Sequence, residues 1–264
     1  MIMSAYSALS TEKELMITES GEPARGDPPR AAPAGPTRSV RVGVTGPTSG
    51  DSVARGEDTE AEGDIEEQSP QTALFWADAA VDPVEIAFPK GVGYTLRHYR
   101  TGTDEDGNET EEAVFLAHAG TLHLFRSAEG LVEFVRSDAP HDLTAVDGWA
   151  EVVEKLSPED VVPDTEDRYE LDLLVENLRG GADVWDPDLV IGAGEIARDL
   201  GFALGLRDVL VSLEPGSPLD DLDEGVRVEG FLARRRLKKI SSEQVAIGWR
   251  TMIGKLAAAV EWHD

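Results

Sequence analysis

The chain has 264 residues, with 52 Asp and Glu against 24 Lys and Arg, for a formal net charge of −28. A surface that acidic repels nucleic acid and anionic membrane over most of its area, which excludes a general DNA-coating role and favours solubility. Cysteine is absent, so disulfides, thiolate nucleophiles and Cys-based zinc sites are excluded, and a reducing compartment fits. No apolar run approaches the roughly 18 residues of a membrane-spanning helix, and the N-terminus lacks the basic, apolar, small-residue order of a signal peptide. The expectation is a soluble, cytoplasmic protein with no membrane partner.

Residues 1–70 mix Ser, Thr, Pro and Gly with spaced arginines (Arg25, Arg30, Arg38, Arg41) and then an acidic run from Glu57 to Glu67. Such sequence buries too little to offset chain entropy and reads as a disordered tail, in which Met3 and Met16 offer alternative starts. Order is expected from about Thr72, where Leu74, Phe75 and Trp76 come together. Val84 to Phe88 and Tyr94 to Arg100 read as strands joined by Pro89 to Gly93. Ala113 to His118 and Thr121 to Arg126 read as a second pair across a tight turn at Ala119 and Gly120. The acidic stretch Thr103 to Glu112 connects the pairs, with Asp106 and Gly107 as its turn. It fails as a calcium loop because the glycine is misplaced and the flanks are strands.

Ser127 caps a short helix carrying Leu131, Val132, Phe134 and Val135, ending near Ser137, placed to cover one face of the sheet. From there the pattern is helical. Trp149, Val152, Val153 and Leu156 share one face. A helix over 166–178 turns Leu171, Leu174, Val175 and Leu178 inward and stops at Gly180 and Gly181. Asp186 and Pro187 open another, running to about Leu204, with Leu189, Ala193, Ile196, Ala197 and Leu200 aligned. A short helix spans Arg207 to Leu213. After Pro215 and Gly216 comes a helical pair. Its first member begins at Ser217 with Asp220, Asp221, Asp223 and Glu224 and closes with Arg234, Arg235, Arg236, Lys238 and Lys239, matching a helix macrodipole. Its second follows Ser241 and Ser242, with Val245, Trp249, Met252, Ile253, Leu256 and Val260 on one face.

The fold class expected is α+β. A small antiparallel four-stranded sheet with one covering helix occupies 71–140, and a helical subdomain occupies 141–264 and packs on it.

The five cations between Arg234 and Lys239 are the only concentrated positive charge, and they are the candidate contact residues. They could neutralise phosphates or an acidic protein partner. They could equally be neutralised within the fold, since residues 138–188 hold 16 Asp and Glu against 3 Lys and Arg. Aromatic residues interleaved with the cations, which single-strand binders use for stacking, are missing. His98, His118 and His123 could meet in a strand-based metal site, but ordinary sheet histidines are the reading adopted, and no metal or cofactor is expected. Gly91 to Gly93 and Gly192 to Gly194 are too short for a phosphate fingerprint. The first is a turn and the second permits close helix packing. No nucleophile elbow or Walker sequence occurs, and no catalytic residue is assigned.

Three phrases, Gly91 to Arg100, Leu124 to Arg136 and Pro215 to Glu224, together with Ala233 to Ile240, resemble an actinobacterial family of acidic proteins often labelled "primosomal protein". The resemblance spans about residues 72–264. It implies a link to DNA replication and carries no catalytic or binding residue over. The expected function is a non-enzymatic interaction or regulatory protein with a protein partner. An accessory nucleic-acid binder using the basic helix and an enzyme of unrecognised class are the alternatives.

Overall fold

A computed structural model of the chain describes residues 68–103, 109–228, 230 and 235–264. The expected tail through residue 67, the turn at Asp106 and Gly107, and Arg234 lie outside the described residues. Helix α1 (Pro70–Ala79) starts on Ser69, whose hydroxyl accepts from the Thr72 amide at 3.1 Å, with proline at the first helical position where no amide bond is lost.

Strands β1 (Asp82–Phe88) and β2 (Gly91–Thr103) pair antiparallel with Phe88 opposite Gly91. The turn is therefore Pro89 and Lys90 alone, and Gly91 to Gly93 belong to the strand instead of a longer connector. Gly93 is needed there because Leu124 and Trp262 cross over it: a β-carbon would sit 2.6 Å from Leu124 Cγ. β3 (Glu109–Phe115) pairs with the far half of β2, and β4 (Ala117–His118) pairs with β5 (Thr121–Phe125). Between them Ala119 and Gly120 have φ of 50° and 79°. Two successive positive φ values suit the right-handed twist of a two-residue hairpin, as expected.

Three of the four expected strands are thus present, while Ala113 to His118 is split at Leu116 between β3 and β4, and β3 begins at Glu109 inside the stretch expected to be a connector; among the described residues the sheet has seven strands and is mixed. β6 (Arg168–Glu170) adds parallel to β1, and β7 (Val260–His263) adds parallel to β5. Both come from sequence read as helical. The helix expected over 166–178 is α4 (Leu171–Arg179), because a 3-10 turn at Thr165–Asp167 and then β6 occupy its first turn and a half. Val260, assigned to a helical face, opens a strand.

Helices α2 (Ala128–Val135) on its Ser127 cap, α3 (Trp149–Lys155), α5 (Pro187–Ala203) on its Asp186 cap, α6 (Arg207–Ser212) and α8 (Ser242–Ala258) stand close to where periodicity puts them. α7 (Pro218–Arg227) does not: its final residue is followed by Val228 in extended conformation, so the expected helix from Ser217 to Lys239 is broken.

Because β-strand side chains alternate, the sheet feeds two cores. Leu122 and Leu124 join Val84, Ile86 and Phe88 against α4 to α8. Phe125 and Leu96 join Trp76, Leu131, Trp149 and Val152 on the other face, covered by α1, α2 and α3 instead of one helix. Each fully buried side chain contributes on the order of 2 kcal/mol, so both faces hold the strands in register.

Candidate functional site

The expected cationic stretch survives as a turn. Arg235 to Leu237 form one helical turn, and Leu237 and Ile240 pack partly buried on the core. Gly225 of α7 admits them: a β-carbon there would meet Leu237 Cδ2 at 2.6 Å. The apolar pair faces in, which turns Arg235, Arg236, Lys238 and Lys239 outward, all exposed. Lys238 bridges to Asp183 at 2.8 Å, a surface pair worth under about 1 kcal/mol. Among the described residues, Arg235, Arg236 and Lys239 have no ion-pair partner.

The carboxylates of α7, expected to oppose these cations along one helix, are engaged elsewhere. Asp223 is 6% exposed. It accepts from Arg198 at 3.0 Å and from Arg227 at 3.2 Å, and Asp220 lies 3.8 Å from Arg198. A β-carbon at Gly194 would stand 3.2 Å from Asp223 Oδ1, so the small residues of α5 do serve close packing as expected.

A second polar cluster was not foreseen. Arg97 on β2 is 4% exposed. It donates to the Tyr169 hydroxyl at 2.9 Å and to Asp167 Oδ1 at 2.5 Å. The Arg97 guanidinium lies 4.6 Å from the Tyr99 ring centre, and the Tyr99 hydroxyl donates to Asp199 Oδ2 at 2.7 Å. Burial pushes the Tyr169 phenol up to about 12 with the Arg97 charge opposing, and burial raises Asp167 despite the same charge. This network locks β2 to β6 and α5. Both terminal guanidinium nitrogens of Arg97 are bonded inside the protein while its Nε has no partner among the described residues, and with its groups turned on one another the network reads as an internal strut.

A concavity of about 900 Å³ is an open groove beside α1 lined by Thr72, Arg126, Ser127, Glu159 and Asp160 among others. Asp160 is already committed there, accepting from the Ser157 amide and hydroxyl at 2.9 and 2.6 Å.

The histidines do not assemble as the rejected three-histidine alternative would require. His98 turns away, with Nδ1 2.6 Å from the Ala80 carbonyl, so His98, His118 and His123 do not form a triad. His123 is instead opposite Glu261 in the β5–β7 register, and Phe125 is opposite His263. Side chains two apart on one strand share a face, so His123, Glu261 and His263 converge on the α2 side of the sheet. His123 Nδ1 lies 3.0 Å from His263 Nε2 and 3.8 Å from Glu261 Oε2. Burial, then the neighbouring His263, hold His123 below the usual imidazole range, with Glu261 opposing. The readable signal was the alternation of Val260, Glu261, Trp262 and His263, which puts carboxylate and imidazole on one strand face; the helical reading of Val260 concealed it.

Among the described residues, a mixed seven-stranded sheet faced by helices on both sides, with an exposed cationic turn after α7, defines the structural class. The chain belongs to the SatS C-terminal domain family, whose model matches residues 81–257. A solved structure described as the crystal structure of the SatS C-terminal domain in complex with bromine is similar over 72% of this chain and 97% of its own, with a TM-score of 0.56 and 21% identity. That likeness concerns the fold. No curated protein matches the chain. The family match takes in the cationic turn and His123 and stops before Glu261 and His263. Among the described residues no helix is long and apolar enough to cross a membrane.

Proposed function

We propose that this protein is a non-enzymatic cytoplasmic interaction or regulatory protein that docks a protein partner through the cationic turn of Arg235, Arg236 and Lys239, flanked by α7 and α8. One observation carries the reading: these cations stand exposed and without a carboxylate partner among the described residues, on a chain of net charge −28. Exposed cations without a carboxylate partner on so negative a body form a local positive patch, and the surface complementary to it is an acidic segment of a partner. Leu237 and Ile240 anchor the turn, so the charges are presented from a fixed base. The resemblance carried by Gly91 to Arg100, Leu124 to Arg136 and Pro215 to Glu224 makes DNA replication the first process in which to seek the partner.

The test is affinity purification of the full chain from its native cell, with and without nuclease, beside the double variant Arg235→Glu, Arg236→Glu. Protein partners retained through nuclease and lost in the variant are the expected result. Partners that disappear with nuclease, together with steeply salt-dependent DNA binding, would favour the nucleic-acid alternative. Partners indifferent to the charge reversal would remove the turn from the interaction.

A further inference from the structure

We propose that His123, Glu261 and His263 form a binding site for one divalent transition-metal ion, zinc in the first instance, that clamps β7 to β5. The ligand atoms of the three residues all lie within 4.8 Å of one another. Two zinc-bound imidazole nitrogens at tetrahedral angles stand about 3.3 Å apart, given Zn–N distances of roughly 2.0–2.1 Å. His123 Nδ1 and His263 Nε2 are 3.0 Å apart, so a few tenths of an ångström of opening admits the ion. Glu261, 58% exposed at its side chain, supplies a third, anionic ligand from the solvent side and marks the route of entry.

The rings are held in place by packing. His263 stacks on Phe125 with ring centres 4.7 Å apart and 18° between planes, and the Phe134 ring lies 4.7 Å from His123 and 5.4 Å from His263. Aromatic walls on one side and water on the other make a site whose ligand directions are set before the ion arrives, which lowers the cost of binding. Two imidazoles and a carboxylate select zinc and its neighbours in the transition series over magnesium or calcium, which prefer all-oxygen shells. Three protein ligands leave at least one position for water. The ion would cross-link residues 140 positions apart in sequence, and the geometry rests only on the strand register and the aromatic packing, not on the cationic turn.

The experiment is zinc titration of the full chain by calorimetry, with cobalt as a spectroscopic stand-in and magnesium and calcium as competitors. One equivalent of zinc is expected to bind, uncontested by magnesium or calcium. His263→Gln should weaken binding on the order of 100-fold and Glu261→Gln about 10-fold, with His98→Gln unchanged. Because replacing a ligand on β7 also removes its packing there, imidazole resonances of the unaltered chain provide an independent readout: zinc should shift those of His123 and His263 and leave His98 in place. Absence of stoichiometric zinc binding, binding unaffected by His263→Gln in a folded variant, or shifts confined to His118 and His141 would each overturn the site.

Discussion

A β-carbon at Gly93 has nowhere to go, with Leu124 Cγ at 2.6 Å and Trp262 Cζ3 at 2.9 Å, whereas one at Gly254 in α8 meets nothing within 4 Å. The two glycines therefore answer the same substitution with opposite signs. Gly93→Ala overpacks the sheet under β5 and β7 and should cost about 1–3 kcal/mol. Gly254→Ala removes unfolded-chain entropy from an exposed helix position and should add about 0.5–1 kcal/mol. Urea unfolding of both variants against the parent chain measures the pair. Equal shifts of either sign would mean that backbone propensity, and not the crossing of Leu124 over Gly93, governs the sheet. The same sensitivity explains why Arg97 escaped notice in the sequence. Arginine on a strand reads as a solvent residue, and only the parallel arrival of β6 brings Asp167 and Tyr169 close enough to bury it.

Among the elements, β7 has the least sequence behind it and the most consequence. The Leu122 amide donates to the Ala259 carbonyl at 2.9 Å and the Arg126 amide to the His263 carbonyl at 3.0 Å, so the strand is bonded along its whole length. Its end presses on α2, where a β-carbon at Gly130 would fall onto the Asp264 carbonyl. Gly130→Ala should thus speed hydrogen exchange at the Leu122 and Arg126 amides by about tenfold or more while α2 itself gains helix propensity. Unchanged protection would show that β7 tolerates displacement. The strand was hidden because Val260 lies four residues after Leu256, a spacing that satisfies helical period as well as it satisfies strand alternation, and four residues are too few to separate the two. What decides is the open edge of β5, a tertiary fact. The caps were readable for the opposite reason: Ser127, Asp186, Ser217 and Ser241 each accept an amide within a few residues of themselves, a wholly local bond. The break after Arg227 had local marks too, in β-branched Val228 and in Gly230, but the run of charge from Asp220 to Lys239 suggested one dipole-matched helix.

For the molecule as a whole, 52 acidic against 24 basic residues means that like charges crowd each other more in the compact chain than in the unfolded one. Raising salt from about 50 mM to about 0.5 M shrinks the screening length severalfold and should stabilise the fold by around 1 kcal/mol, or about 2–4 °C in Tm. A melting series in NaCl checks this, and a falling Tm would instead give the surface ion pairs the larger weight. Overall class and most helices were accessible from composition and period, because burial of Leu, Val and Trp at helical spacing is a property of each segment alone. The mixed topology was not, because parallel pairing joins segments that share no local signal.

That pairing also sets an order of events during synthesis. The outer edge of β5 finds its backbone partners in residues 259–263, so it stays bare while the ribosome makes the roughly 140 residues between. At about 5–20 residues per second the nascent chain displays an unpaired strand for roughly 7–30 s. Over that interval a sticky margin is open to any neighbouring polypeptide.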